Sequence, residues 1–181
     1  PMGVTNVGDY LYVTDRHNHR IRKIVKSTGV VTTIAGTGSQ GYVNGTGTSA
    51  KFYYPWGITS DGKNLYVGDG HNHRIRKIVI STGVVTTFAG SGSASSGDGV
   101  GTEASFTYPY EVGIDENNVY VADYSNHRIR KISLRGTVTA DVKLHNLDDD
   151  TDATVNLASS DTGEATVSPA TLTFTEDNWN T

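Results

Sequence analysis

Cysteine is absent from all 181 residues. That excludes a disulfide scaffold, Cys-ligated zinc and thiol catalysis. It leaves the compartment open, because disulfides are permitted outside the cell rather than required there. Methionine occurs once, and no long window places apolar residues at i, i+3, i+4 and i+7. No substantial helix is therefore expected. No apolar run is long enough to span a bilayer, so membrane insertion is not expected. No signal peptide is visible, but the chain opens Pro1-Met2-Gly3 in mid-pattern, which leaves room for a targeting segment upstream.

Gly, Thr and Val dominate instead, a mix that suits short strands joined by tight turns. The net charge of -4 is unevenly spread. Up to Val138 there are 14 Lys and Arg against 10 acids; from Thr139 onward there is one Lys against nine acids. Two regions of opposite balance point to two modules.

Internal repetition decides the fold class. Pro1, Pro55 and Pro109 are spaced by 54, as are Asp15, Asp69 and Asp123. The block His17-Asn18-His19-Arg20-Ile21-Arg22-Lys23-Ile24 returns unchanged from His71, and again from Ser125 with only that first residue altered. The first two units share 34 of 54 positions. Turn signals fall at Asp61-Gly62 and Asn117-Asn118, at Asn18, Asn72 and Asn126, and at Thr28-Gly29, Thr82-Gly83 and Gly136. Between them the first unit leaves four short strands near residues 3–5, 11–14, 20–25 and 30–35. Strands so closely spaced pair as antiparallel hairpins. Ile21 and Ile24 are an odd number apart and point to opposite faces of their strand. A sheet apolar on both faces is expected between two neighbours, as in stacked propeller blades.

The pattern Pro-x-Gly, Tyr-Val-x-Asp, Asn-His-Arg-Ile-Arg-Lys-Ile, Thr-Gly-x-Val-Thr-Thr, Ala-Gly resembles the NHL repeat. The resemblance spans residues 1–140, as blades of about 1–54, 55–108 and 109–140, the last completed by a strand near 137–142. It implies a β-propeller, often of six blades. Three blades do not close a ring, since propellers need four to eight. Either more sequence flanks these blades or copies of the chain assemble, head to tail or as paired half-propellers, into a filament.

The remaining residues, 141–181, alternate as strands at Ala153-Thr154-Val155-Asn156-Leu157, Ala165-Thr166-Val167 and Thr171-Leu172-Thr173-Phe174-Thr175. Ser159-Ser160-Asp161-Thr162-Gly163-Glu164, Leu172-Thr173-Phe174 and Asn178-Trp179-Asn180-Thr181 resemble a Calx-β/cadherin-like β-sandwich module of bacterial surface proteins. The resemblance implies a partial sandwich, one strand short. The fold expectation is thus all-β: four-stranded antiparallel blades of a 54-residue repeat, followed by a partial β-sandwich.

Imidazole beside carboxylate can bind metal, which draws attention to Asp15, Asn18, His19 and Arg20, to Asp69, Asn72, His73 and Arg74, and to Asp123, Asn126, His127 and Arg128. Recurrence in every blade argues instead for a structural role, each Asp bonding within its own turn to backbone or Arg. Ser125 replaces His17 and His71 in the third copy, so no three-fold His ring exists there. The resemblance also brings RNA-binding members and a lyase that uses non-repeated His and Tyr. Here the acidic balance argues against nucleic acid. Every His but His145 sits in the repeated turn, and no Ser-His-Asp elbow or phosphate loop is present, so no enzyme is expected. Tyr53, Tyr54, Trp56, Tyr108 and Tyr110 lie between blades. They are candidates for stacking on a ligand, with packing between blades the favoured reading. Asp148, Asp150 and Asp152 are a candidate calcium cluster, with a solvated turn favoured; no other cofactor is expected. The functional expectation is a non-catalytic structural or adhesive module of an extracellular or cell-surface bacterial protein. It would act through protein–protein contact with other copies or with flanking domains. The alternative is a glycan- or peptide-binding propeller using the inter-blade aromatics.

Overall fold

A computed structural model describes residues 1–134 and the backbone of two short strands at 153–156 and 171–174. The chain divides into two compact units, Pro1–Ser133 and Leu134–Thr181. The first unit is three antiparallel sheets. Blade 1 runs β1 (Val4–Val7), β2 (Tyr10–Asp15), β3 (Arg20–Val25) and β4 (Val31–Ala35), paired in that order. Blade 2 repeats it with β6 (Pro55–Ser60), β7 (Asn64–Asp69), β8 (Arg74–Val79) and β9 (Val84–Ala89), to which β5 (Gly45–Thr46) adds a fifth strand on β9. Blade 3 is described through β10 (Pro109–Ile114), β11 (Asn118–Asp123) and β12 (Arg128–Ser133). Among the described residues, helix is confined to five single 3-10 turns. None of the described helices is long and apolar enough to cross a membrane.

Side-chain alternation builds the core between the sheets. Tyr12, Ile21 and Ala35 of blade 1 meet Ile58, Leu65, Val67, Ile78 and Val85 of blade 2, with Ala50 and Phe52 of the connecting segment closing the cluster. The odd spacing of the isoleucines acts as expected: Ile78 joins the cluster with blade 1, and Ile75, on the opposite face, is also completely buried. Ile129, in the register of Ile21 and Ile75, is 75% exposed, because no described residue covers that face of blade 3.

Two glycines set the blade spacing. A Cβ on Gly3 would meet the Trp56 carbonyl at 2.9 Å, and one on Gly57 would meet Glu111 Cα at 2.7 Å and the Tyr110 carbonyl at 2.8 Å. Only glycine lets the inner strands approach so closely. The third copy carries Glu111 at this position.

In the second unit β13 (Ala153–Asn156) pairs antiparallel with β14 (Thr171–Phe174), in register Ala153↔Phe174. The partial sandwich over 141–181, the strand near 137–142 and the calcium candidates Asp148, Asp150 and Asp152 otherwise lie outside the described residues.

Candidate binding site at the ring-lined end of the blades

The recurring motif sits where the second strand of each blade turns into the third. Asp15, Asp69 and Asp123 end the second strands, and a 3-10 turn follows. His19, His73 and His127 close that turn in the left-handed region, each at φ 54°. Asp69 is completely buried. Its carboxylate accepts from the Tyr53 N–H at 2.8 Å, Asn72 Nδ2 at 2.8 Å and Arg76 Nη1 at 2.9 Å. Asp123 repeats the set with the Thr107 N–H at 2.7 Å, Asn126 Nδ2 at 2.8 Å and Arg130 Nη1 at 3.1 Å. Burial pushes the Asp69 carboxyl up, and the Arg76 guanidinium with the other donors opposes that push.

This departs from the expectation in two ways. The backbone donor comes from the segment joining the previous blade rather than from the Asp's own turn. Asp15, half-buried, receives Asn18 Nδ2 at 2.9 Å, while Arg22 turns to Thr33 Oγ1 at 2.6 Å.

The motif arginines tie connecting segments down. Arg76 donates to the carbonyls of Lys51 and Val43, each at 3.0 Å, and to Asn44 Oδ1 at 2.8 Å. Arg130 does the same to Ser105, Gly97 and Asp98. Arg20 reaches the Thr37 carbonyl at 3.0 Å and Arg74 that of Ser91 at 2.6 Å. Arg128 reaches the Ser96 carbonyl at 3.3 Å. The apparent basic stripe is thus largely consumed in structure, and Arg76 is completely buried. The histidines link blades too: the Tyr54 N–H donates to His19 Nδ1 and the Tyr108 N–H to His73 Nδ1, both at 3.2 Å. An accepting Nδ1 requires neutral imidazole. Burial first, then neighbouring positive groups, holds His19, His71 and His73 below the ordinary imidazole value.

The same end of the sheets carries a continuous run of rings. Tyr54 lies 4.9 Å from His19 and 4.8 Å from His71 between ring centroids; His71 lies 5.0 Å from Tyr108 and 6.0 Å from Trp56. Trp56 continues to Tyr110 at 4.6 Å, and Tyr110 to Tyr124 at 5.7 Å. Tyr53 joins through His71 at 4.8 Å. All five aromatic candidates therefore fall in one assembly, but in two roles. Trp56 is buried and Tyr53, Tyr54 and Tyr108 are half-buried, as packing requires; Tyr110 and Tyr124 are exposed at 36% and 63%. Arg16 and Tyr124 belong to the assembly and were not singled out from the sequence; His17 and His71, considered there only as members of the repeated turn, belong to it too. The signal for two of them was the repeat itself: one position reads Arg16, Gly70, Tyr124, and another reads Met2, Trp56, Tyr110. Gly70 makes room for the indole, since a Cβ there would lie 3.0 Å from Trp56 Cδ2. Among the described residues no group of three His, Cys, Asp or Glu could hold a metal ion.

The family model of the NHL repeat matches residues 52–78 and 106–132, the inner three strands of blades 2 and 3 with their motifs. The chain carries NHL repeats. The bovine NHL repeat-containing protein 2 is 35% identical over 136 residues, which cover 68% of this chain and 19% of that protein. The chain thus spans about a fifth of the length of the curated relatives it matches. A structural genomics protein of unknown function from Bacteroides thetaiotaomicron is 30% identical with a TM-score of 0.64, over 68% of this chain and 32% of its own. An auxiliary nutrient binding protein from the same organism is 29% identical with a TM-score of 0.60, over 68% and 34%. Within the first matched segment, Asn72 fixes Asp69, His73 receives the next blade, and Arg74 and Arg76 hold the connectors.

Proposed function

We propose that these NHL blades form a non-catalytic binding module of a longer cell-surface protein, with the ring-lined end as its ligand surface. The repeat builds the scaffold and the non-repeated residues do the binding. The observation that carries this is the asymmetry of the rim. In blades 2 and 3 the motif Asp, Asn and second Arg are spent on holding turns and connectors, while the exposed rings, Tyr110 and Tyr124, stand where the three copies differ. Loops on a rigid scaffold are where binding residues concentrate. Aromatic faces with hydrated hydroxyl tips suit a glycan or a peptide. The similarity to an auxiliary nutrient binding protein supports a ligand-collecting role and a surface location. The purely structural or adhesive role read from the sequence gives way here, because a featureless rim would have favoured it.

The test is calorimetric titration of the full chain with a panel of oligosaccharides and short peptides. The expected result is binding by one class. A Tyr110→Ala/Tyr124→Ala double variant should lose it with an unchanged unfolding midpoint, both rings being exposed. Binding that survives in that variant, or turnover of a panel member, overturns the proposal.

A further inference from the structure

Arg16 occurs once in the three copies, where the others carry Gly70 and Tyr124. It sits in the 3-10 turn after β2, at the ring-lined end. Its guanidinium carbon lies 5.1 Å from the Tyr54 ring centroid and 5.2 Å from that of Trp56. Among the described residues it makes no side-chain hydrogen bond and no ion pair. Its Nε is buried without a partner. The motif arginines with printed bonds reach carbonyls, carboxylates or, for Arg22, the Thr33 hydroxyl, so Arg16 is the exception.

A cation held against ring faces and lacking a counter-ion among the described residues is a prepared anion site. The planar fork matches a carboxylate with two parallel bonds, and the apolar backing strengthens the attraction. The rings run outward from it: Arg16 to Trp56, then Tyr110 at 4.6 Å, then Tyr124 at 5.7 Å. The last two rings are exposed.

We propose that Arg16 anchors the carboxylate of a uronic-acid glycan whose neighbouring sugar rings lie across Tyr110 and Tyr124. This rests on the ring-lined end being the ligand surface and adds the chemical class it takes. A peptide would place its acidic groups on flexible stems. A cation held beside a run of rings that ends in two exposed tyrosines instead suits rigid sugar rings bearing a carboxylate.

The test titrates the full chain with tri-galacturonate and a hyaluronate tetrasaccharide, each beside its methyl ester, together with neutral gluco- and galacto-oligosaccharides and poly-glutamate. At least one acid should bind about 10- to 100-fold more tightly than its ester, the usual range for a charge-assisted pair. Added salt should narrow that gap. Arg16→Met keeps a stem over Trp56 and should bring the acid down to its ester. Arg16→Lys should recover part of the difference, which a merely structural role would not show. Equal affinity for acid and ester, or a preference unchanged in Arg16→Met, overturns this inference while leaving the ring surface as the binding site. Binding of poly-glutamate in place of the glycans also overturns it. Binding that ignores Tyr110 and Tyr124 sinks the surface itself.

Discussion

Replacing Asp69 by Ala removes one half of an ion pair in which both side chains are completely buried, 2.9 Å apart. Breaking such a pair costs about 3–5 kcal/mol, mostly because a buried charge is left without its partner. Arg76 keeps the Lys51 and Val43 carbonyls and Asn44 Oδ1, which places the cost near the lower end, about 3 kcal/mol. The Tyr53 N–H and Asn72 lose their acceptor as well. For a chain of this size, that corresponds to a fall in Tm of about 6–12 °C. Asp98 also pairs with an arginine, Arg130 at 2.7 Å, but its side chain is 90% exposed. Asp98→Ala should therefore cost about 0–1 kcal/mol, as exposed ion pairs do. Guanidinium unfolding followed by circular dichroism on wild type and both variants gives the comparison. If the two substitutions cost the same within about 0.5 kcal/mol, the usual resolution between sites, the buried pair is not what the motif is for.

Gly57→Ala should destabilise by about 1–3 kcal/mol, because its Cβ would press on Glu111 Cα and the Tyr110 carbonyl; Gly113→Ala, with nothing within 4 Å, should be nearly neutral in the same assay. Stability should also fall with acid. The folded state holds His19 and His73 as neutral acceptors below their ordinary pKa, so on acidification the unfolded chain takes up protons first. The contribution is complete above about pH 6.5 and is lost as pH falls from there through the lowered folded values. Unfolding midpoints from pH 7.5 to 5 should show this slope, and a His19→Asn/His73→Asn variant should flatten it; an unchanged slope contradicts the acceptor role.

The blades were largely legible because their determinants are local. The strand at 20–25 is found with its expected bounds, and the two apolar faces of each third strand follow from the spacing of Ile21 and Ile24 alone. The glycine and asparagine turns mark the hairpins. What could not be read locally were partners tens of residues apart. The fifth strand at Gly45–Thr46 pairs with Val84 and Val85, and Arg76 finds Val43 and Asn44. No periodicity encodes either contact; both follow only once two blades are stacked. The candidate site was half legible. The inter-blade aromatics drew notice by composition, but the repeat concealed that its irregular positions, Arg16 and Tyr124 among them, collect at the same end as Trp56 and Tyr110.

The most direct measurement of the central claim is hydrogen exchange across the full chain, with and without a saturating glycan or peptide found by titration. Binding at the ring-lined end predicts slowed exchange at residues 16–19, 53–56, 70–73, 108–110 and 124, with no change along the outer strands Val31–Ala35 and Val84–Ala89. Protection concentrated on those outer strands, with the ring-lined segments unaffected, would contradict the account.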